Sequence, residues 1–164
     1  MSVKLTEGAE KAVTEEITGA MNRTHEEIME WLNDTGTEAV KKARLIVTEG
    51  GGGGSVLPPY TVRSSNLVSS TGFAVVYNGK IMNTSSFDAV GGPDGDGQEG
   101  SATGRAYVKE LAMRYPTGYA LILVAGMHYA SYVQELYHKD VLVSGSLVAE
   151  QLVMELQNDF NNKK

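Results

Sequence analysis

The sequence contains no cysteine, which excludes disulfide staples, thiol nucleophiles and cysteine-ligated metal sites. It has no apolar run near the ~20 residues that a bilayer-spanning helix needs. The opening MSVKLTEGAEKAVTEE turns acidic at once and lacks an apolar signal core, so no export signal is expected. Basic charge is scarce: 14 Lys and Arg stand against 20 Asp and Glu, a net charge of −6. The arginines (Arg23, Arg44, Arg63, Arg105 and Arg114) are scattered along the chain. Phosphate contacts would therefore add little, and direct nucleic-acid binding is disfavoured. Lys41, Lys42 and Arg44 form one local basic group, best read as a solvated helix face. Neither a GxSxG elbow nor an HExxH helix occurs, and no internal repeat is visible.

What remains suits a globular chain, 41% hydrophobic and 21% charged. Its 164 residues are most simply one domain: a helical arm over 7–48, an α+β body over 56–160, and flexible loops at 49–57 and 88–104. Val13, Ile17, Ala20, Thr24, Ile28 and Leu32 recur at three- and four-residue steps and predict an amphipathic helix over 7–33. Thr6 suits the N-cap, with Glu7 and Glu10 in the first turn. Asn33-Asp34-Thr35-Gly36 offers a stop, and Thr37–Val47 continues helically. Joined, the two pieces would reach about 60 Å at 1.5 Å per residue. So long a helix predicts either a kink near Gly36 or a neighbouring subunit.

EGGGGGS at 49–55 reads as a natural flexible loop, stiffened at its far end by Pro58-Pro59. GFAVVYN (72–78) and KIMNT (80–84) flank Asn78-Gly79, a strong hairpin signal because a tight primed turn needs positive φ at both central residues. DAVGGPDGDGQEGSATG (88–104) reads as an exposed loop. Thr103–Tyr115 reads as a helix ended by Pro116. Tyr119–Ala125 reads as a strand whose successive aliphatics imply cover on both faces. Residues 127–137 suit a strand or a short helix. Ser146–Phe160 closes the chain as a helix, with Leu147, Leu152 and Leu156 on one side. Strands and helices come in separate groups, which predicts an α+β fold: a long N-terminal helix, an antiparallel sheet with an Asn-Gly hairpin, and two further helices packed on it.

Little chemistry suggests itself. His128, in AGMHYASYVQ (125–134), has only His25 and His138 as fellow histidines. A general base needs an oriented partner and a substrate within reach, and the nearest carboxylates in sequence are Glu135 and Asp140. His128 is read as a structural or interface residue, against a hydrolase in which it would act as base. Asp94, Asp96 and Glu99 resemble part of a calcium loop, but Glu99 stands where the turn glycine belongs and Arg105 where the bidentate glutamate belongs. A solvated loop is the plainer reading, with a small-ligand or calcium-binding module using 91–100 as the rival. The tyrosines Tyr107, Tyr115, Tyr119, Tyr129, Tyr132 and Tyr137 suit a core rim or protein interface better than a base-stacking platform. The residues themselves therefore point to no catalytic, cofactor-binding or metal-binding site.

A helix ending in KKARLIV, a glycine-rich loop, YTVRSSNLVSS, a hairpin, and a strand running into GMHYASYVQ together resemble the neck or tail-completion proteins of tailed bacteriophages. That family carries Thr-Gly-x-Leu-Arg-x-Ser after its helix and Tyr-Ala-x-x-Val-Glu after a late strand. Here the first stands as Ser65-Asn66-Leu67-Val68-Ser69-Ser70, keeping the leucine without the arginine. The second stands as Tyr129-Ala130-Ser131-Tyr132-Val133-Gln134. KDVLVSGSLVAEQLV replaces the family's proline-rich closing segment. The resemblance spans about residues 9–156. It implies a structural virion protein made in the bacterial host cytoplasm: a homo-oligomeric ring in the neck or at the tail end. Portal, connector or tail proteins would be its partners, and DNA would pass through without sequence-specific contact or any membrane association. No enzymatic activity and no cofactor come with it. A tail terminator or minor capsid protein of similar fold is the alternative. The residues it marks for core and inter-subunit packing are Leu67, Met127, His128, Tyr129, Ala130, Tyr132 and Val133. An acidic lumen that repels DNA is expected from the net charge.

Overall fold

A computed structural model describes residues 7–48 and 64–131, together with 135, 142, 146, 147, 149–152 and 154. The elements run α1 (Glu7–Thr48), α2 (Asn66–Ser70), β1 (Thr71–Tyr77), β2 (Lys80–Thr84), α3 (Gln98–Ala112) and β3 (Tyr119–Ala125). The architecture is α+β, with a three-stranded antiparallel sheet in the order β2-β1-β3. The chain divides into two compact units, Met1–Leu32 and Asn33–Lys164.

In the first unit the described residues are helical from Glu7 onward. Lys11 and Glu15, one turn apart, pair at 4.0 Å with both side chains largely exposed, a contact that contributes little. Thr24 Oγ1 donates to the Ala20 carbonyl at 3.1 Å.

The second unit is built on β1, whose first six residues are all buried. Successive side chains alternate between faces. Ala74 and Val76 meet Ile122 and Val124 of β3, Val108 and Ala112 of α3, and Phe87 in one core cluster. The opposite face presents Phe73, whose ring lies against Gly36 of α1; a Cβ at Gly36 would stand 2.7 Å from Phe73 Cγ. Asn33-Asp34-Thr35-Gly36 therefore does not end the helix. Thr35 is buried, Thr37 Oγ1 donates to the Asn33 carbonyl at 2.9 Å, and the helix continues to Thr48. A local stop signal has yielded to tertiary packing that needs a helix without a side chain there.

The Asn-Gly hairpin forms as expected. Asn78 and Gly79 take φ of 48° and 77°, the pair of positive values that a primed two-residue turn requires. Asn78 also fastens the turn to the segment before β3: its N–H donates to the Gly118 carbonyl at 2.9 Å, and its Oδ1 accepts from Gly118 N–H at 2.8 Å. β3 forms over the predicted range. Ile122 and Val124 are buried, but Leu121 and Leu123 are only half-buried, so cover is complete on the α3 face alone.

The acidic, glycine-rich segment departs from expectation. Its last residues are the first turns of α3, which begins at Gln98 and ends at Ala112. Gly100 faces α2 so closely that a Cβ there would stand 2.6 Å from the backbone Cα and C of Asn66. These glycines serve close packing between helices, although their composition reads as a loop. The remainder, 88–97, is fixed from below: Ser69 Oγ accepts from Val90 N–H at 3.0 Å, and Ser65 Oγ donates to the Gly91 carbonyl at 3.2 Å. Residues 128 and 129 form a turn, and helix begins at 130. The described residues among 146–154 are helical, with Ala149 buried and Leu147 exposed.

Candidate functional site

The two short motifs, some sixty residues apart in sequence, meet in space. Leu67, Val68 and Met127 are buried in one cluster with Val47, and Tyr129, Ala130 and Leu142 pack at its edge. α2 is positioned by hydrogen bonds from its own polar residues. Ser70 Oγ and Thr71 Oγ1 both donate to the Leu67 carbonyl at 2.9 Å, and the Ser70 carbonyl accepts from Gly126 N–H at 3.1 Å. Asn66 clamps the start of α3: its Nδ2 donates to Glu99 Oε2 at 2.7 Å, and its Oδ1 accepts from Gly100 N–H at 3.2 Å. Among the described residues no buried side-chain polar atom lacks a partner. The serines and asparagine of SSNLVSS thus hold the loop, α3 and the end of β3 together. Sequence reasoning valued only the leucine there; the density of small hydroxyl side chains was the available signal.

Tyr129 reaches the same place. Burial pushes its phenol up from 10.0, with the Glu99 charge adding to the rise, while hydrogen bonds with Ser64 and the Leu67 backbone oppose it. His128, expected as a structural or interface residue, is exposed and meets Tyr129 edge-on, with ring centroids 5.6 Å apart. The turn at 128–129 points it away from the cluster that its neighbours Met127 and Tyr129 enter. Tyr132 and Val133 lie outside the described residues, as do Thr6, the 49–57 loop, Tyr137, His138 and Leu156. Of the other tyrosines, Tyr107 and Tyr115 are exposed, and Tyr119 stacks on Tyr77 at 4.6 Å.

The acidic loop does not gather its carboxylates. Asp96 Oδ1 accepts from Gln98 N–H at 3.0 Å, and Glu99 is engaged by Asn66. Among the described residues no group of three or more His, Asp or Glu side chains is arranged to hold a metal ion. No described helix is long and apolar enough to cross a membrane.

A cleft of about 660 Å³ lies within the second unit, where Lys41, Arg44 and Leu45 of α1 face Phe73, Asn83 and Ser85. Arg44 is its fixed feature. Its Nε and Nη2 donate to the Thr71 carbonyl at 3.1 and 2.8 Å. Burial lowers its pKa, and the charge of Asp88 partly offsets this. The expected solvated basic face holds for Lys41 and Lys42, which are exposed, but Arg44 is half-buried: the sheet edge supplies a carbonyl for its fork. In the first unit, Val13, Ile17 and Met21 are 45%, 55% and 67% exposed, an apolar row at four-residue spacing.

Comparison of the chain with protein families, curated proteins and solved structures finds no match.

Proposed function

We propose that this chain is a structural protein of a tailed-phage virion, a subunit of a ring in the neck or at the tail end through which DNA passes. The observation that carries the proposal is the exposed apolar row Val13, Ile17 and Met21, a helix face whose contact with water is relieved by assembly. The packing of the two resembling motifs supports it: Leu67, Met127, Tyr129 and Ala130 share one cluster. They act there as scaffold, holding α2 and the end of β3 in place for surfaces elsewhere to meet partners. His128, exposed beside Tyr129, is a candidate contact residue at such a surface.

Negative-stain imaging of the purified chain, alone and mixed with phage capsids and tails, tests the proposal. Rings with a central opening, free or seated at a capsid vertex or tail end, are expected. Small particles that never form rings and never decorate either structure would overturn it.

A further inference from the structure

We infer that the apolar row of the first unit docks, acid-flanked, into the Lys41–Arg44 cleft of a second copy of this chain. The inference rests on the ring reading and names the contact that would build the ring.

The row and its surroundings restrict what can cover it. Residues 7–32 carry seven glutamates against Lys11 and Arg23 alone. Two such acid-rich segments laid together would set like charge against like charge, which is costly across an interface. The complementary surface has an apolar floor and a cationic rim. The cleft has both. Val40, Leu45 and Phe73 supply apolar lining, its charged lining residues among those described are Lys41 and Arg44, and Leu45 at its mouth is 44% exposed. The acids near those cations leave Lys41 available. Glu38 pairs with Lys41 at 3.6 Å, but both side chains are more than half exposed, so that pair exchanges readily for another glutamate. Asp88 acts on Arg44, whose hydrogen bonds to Thr71 already fix it as part of the wall.

Row and cleft are different surfaces, and every copy carries one of each. The contact is therefore heterologous: it repeats from copy to copy and closes into a ring when the rotation permits.

The absence of cysteine makes the test direct. Ile17→Cys and Leu45→Cys variants, each exposed at the substituted position, are purified separately, mixed and oxidised. A disulfide needs Cα atoms within about 7 Å, so cross-linking reports seating of the row at the cleft. The mixed Ile17–Leu45 dimer is expected to exceed either variant oxidised alone. Adding Lys41→Glu to the Leu45→Cys chain should lower the yield roughly tenfold, the scale of a close interfacial charge reversal. Glu16→Lys in the Ile17→Cys chain should restore it. No mixed cross-link, or equal cross-linking of Ile17→Cys with itself, would overturn the inference. The mass of the unmodified chain and imaging with capsids and tails separate the two levels: a ring, free or seated on either structure, without the mixed cross-link refutes this contact alone, whereas a monomer that neither cross-links nor decorates them refutes the ring as well.

Discussion

Replacing Gly36 by alanine should destabilise the protein even though alanine is the better helix former. In an open helix the substitution gains up to about 1 kcal/mol. At Gly36 the new Cβ would stand 2.7 Å from Phe73 Cγ and 2.8 Å from Cε2. Phe73 is buried in the central strand, so its ring must shift to admit the methyl, and overpacking of this kind costs about 1–3 kcal/mol. The net expectation is a loss of about 1 kcal/mol, or about 2–4 °C in Tm for a chain of this length. Two controls sharpen the reasoning. Gly19 lies on the same helix, where a Cβ would meet only the end of the Arg23 side chain at 3.5 Å, so Gly19→Ala should raise helical stability. At Gly100 the obstacle is the Asn66 backbone, 2.6 Å away, which cannot rotate aside, so Gly100→Ala should cost more than Gly36→Ala. Urea unfolding followed by far-UV circular dichroism reads all three. If Gly36→Ala proves as stabilising as Gly19→Ala, the packing of α1 on the sheet is not as described.

Other expectations follow from single contacts. Arg44→Lys keeps the charge but loses the fork on the Thr71 carbonyl, and should cost about 1.5–3 kcal/mol in urea unfolding, the range for hydrogen bonds to charged groups. Gly79→Val forces a β-branched residue to a φ of 77° and should destabilise the hairpin by about 1–2 kcal/mol, seen as a lower Tm. Tyr129 has a folded pKa above its ordinary 10.0, so its neutral form is the one the fold favours. That contribution is fully present below the ordinary value and is lost as pH rises through the folded one. Tyr129→Phe should therefore flatten the loss of stability at alkaline pH.

The elements that were legible in the sequence are those whose signals are local. Asn78-Gly79 sets its own backbone angles, and the aliphatic run of β3 and the period of α1 need no distant partner to be recognised. The misread elements depend on what lies across the chain. Gly36 reads as a stop because nothing nearby in sequence reveals the Phe73 ring that it accommodates. Gly100 and Gly104 read as loop composition, whereas their four-residue spacing places them together on the inner side of α3. Arg44 reads as one of a basic group with two lysines because the carbonyl it grips belongs to Thr71, 27 residues away. Of the candidate site, Leu67, Met127, Tyr129 and Ala130 come together as one cluster. The exposure of His128 follows from a turn that its flanking residues do not announce.

Assembly is tested most directly by the mass of the chain in solution. Light scattering across a dilution series should return a fixed integral multiple of 17.6 kDa, constant above a threshold concentration, as a closed ring requires. A mass of 17.6 kDa at every concentration, with no ring formed on added capsids or tails, would contradict assembly.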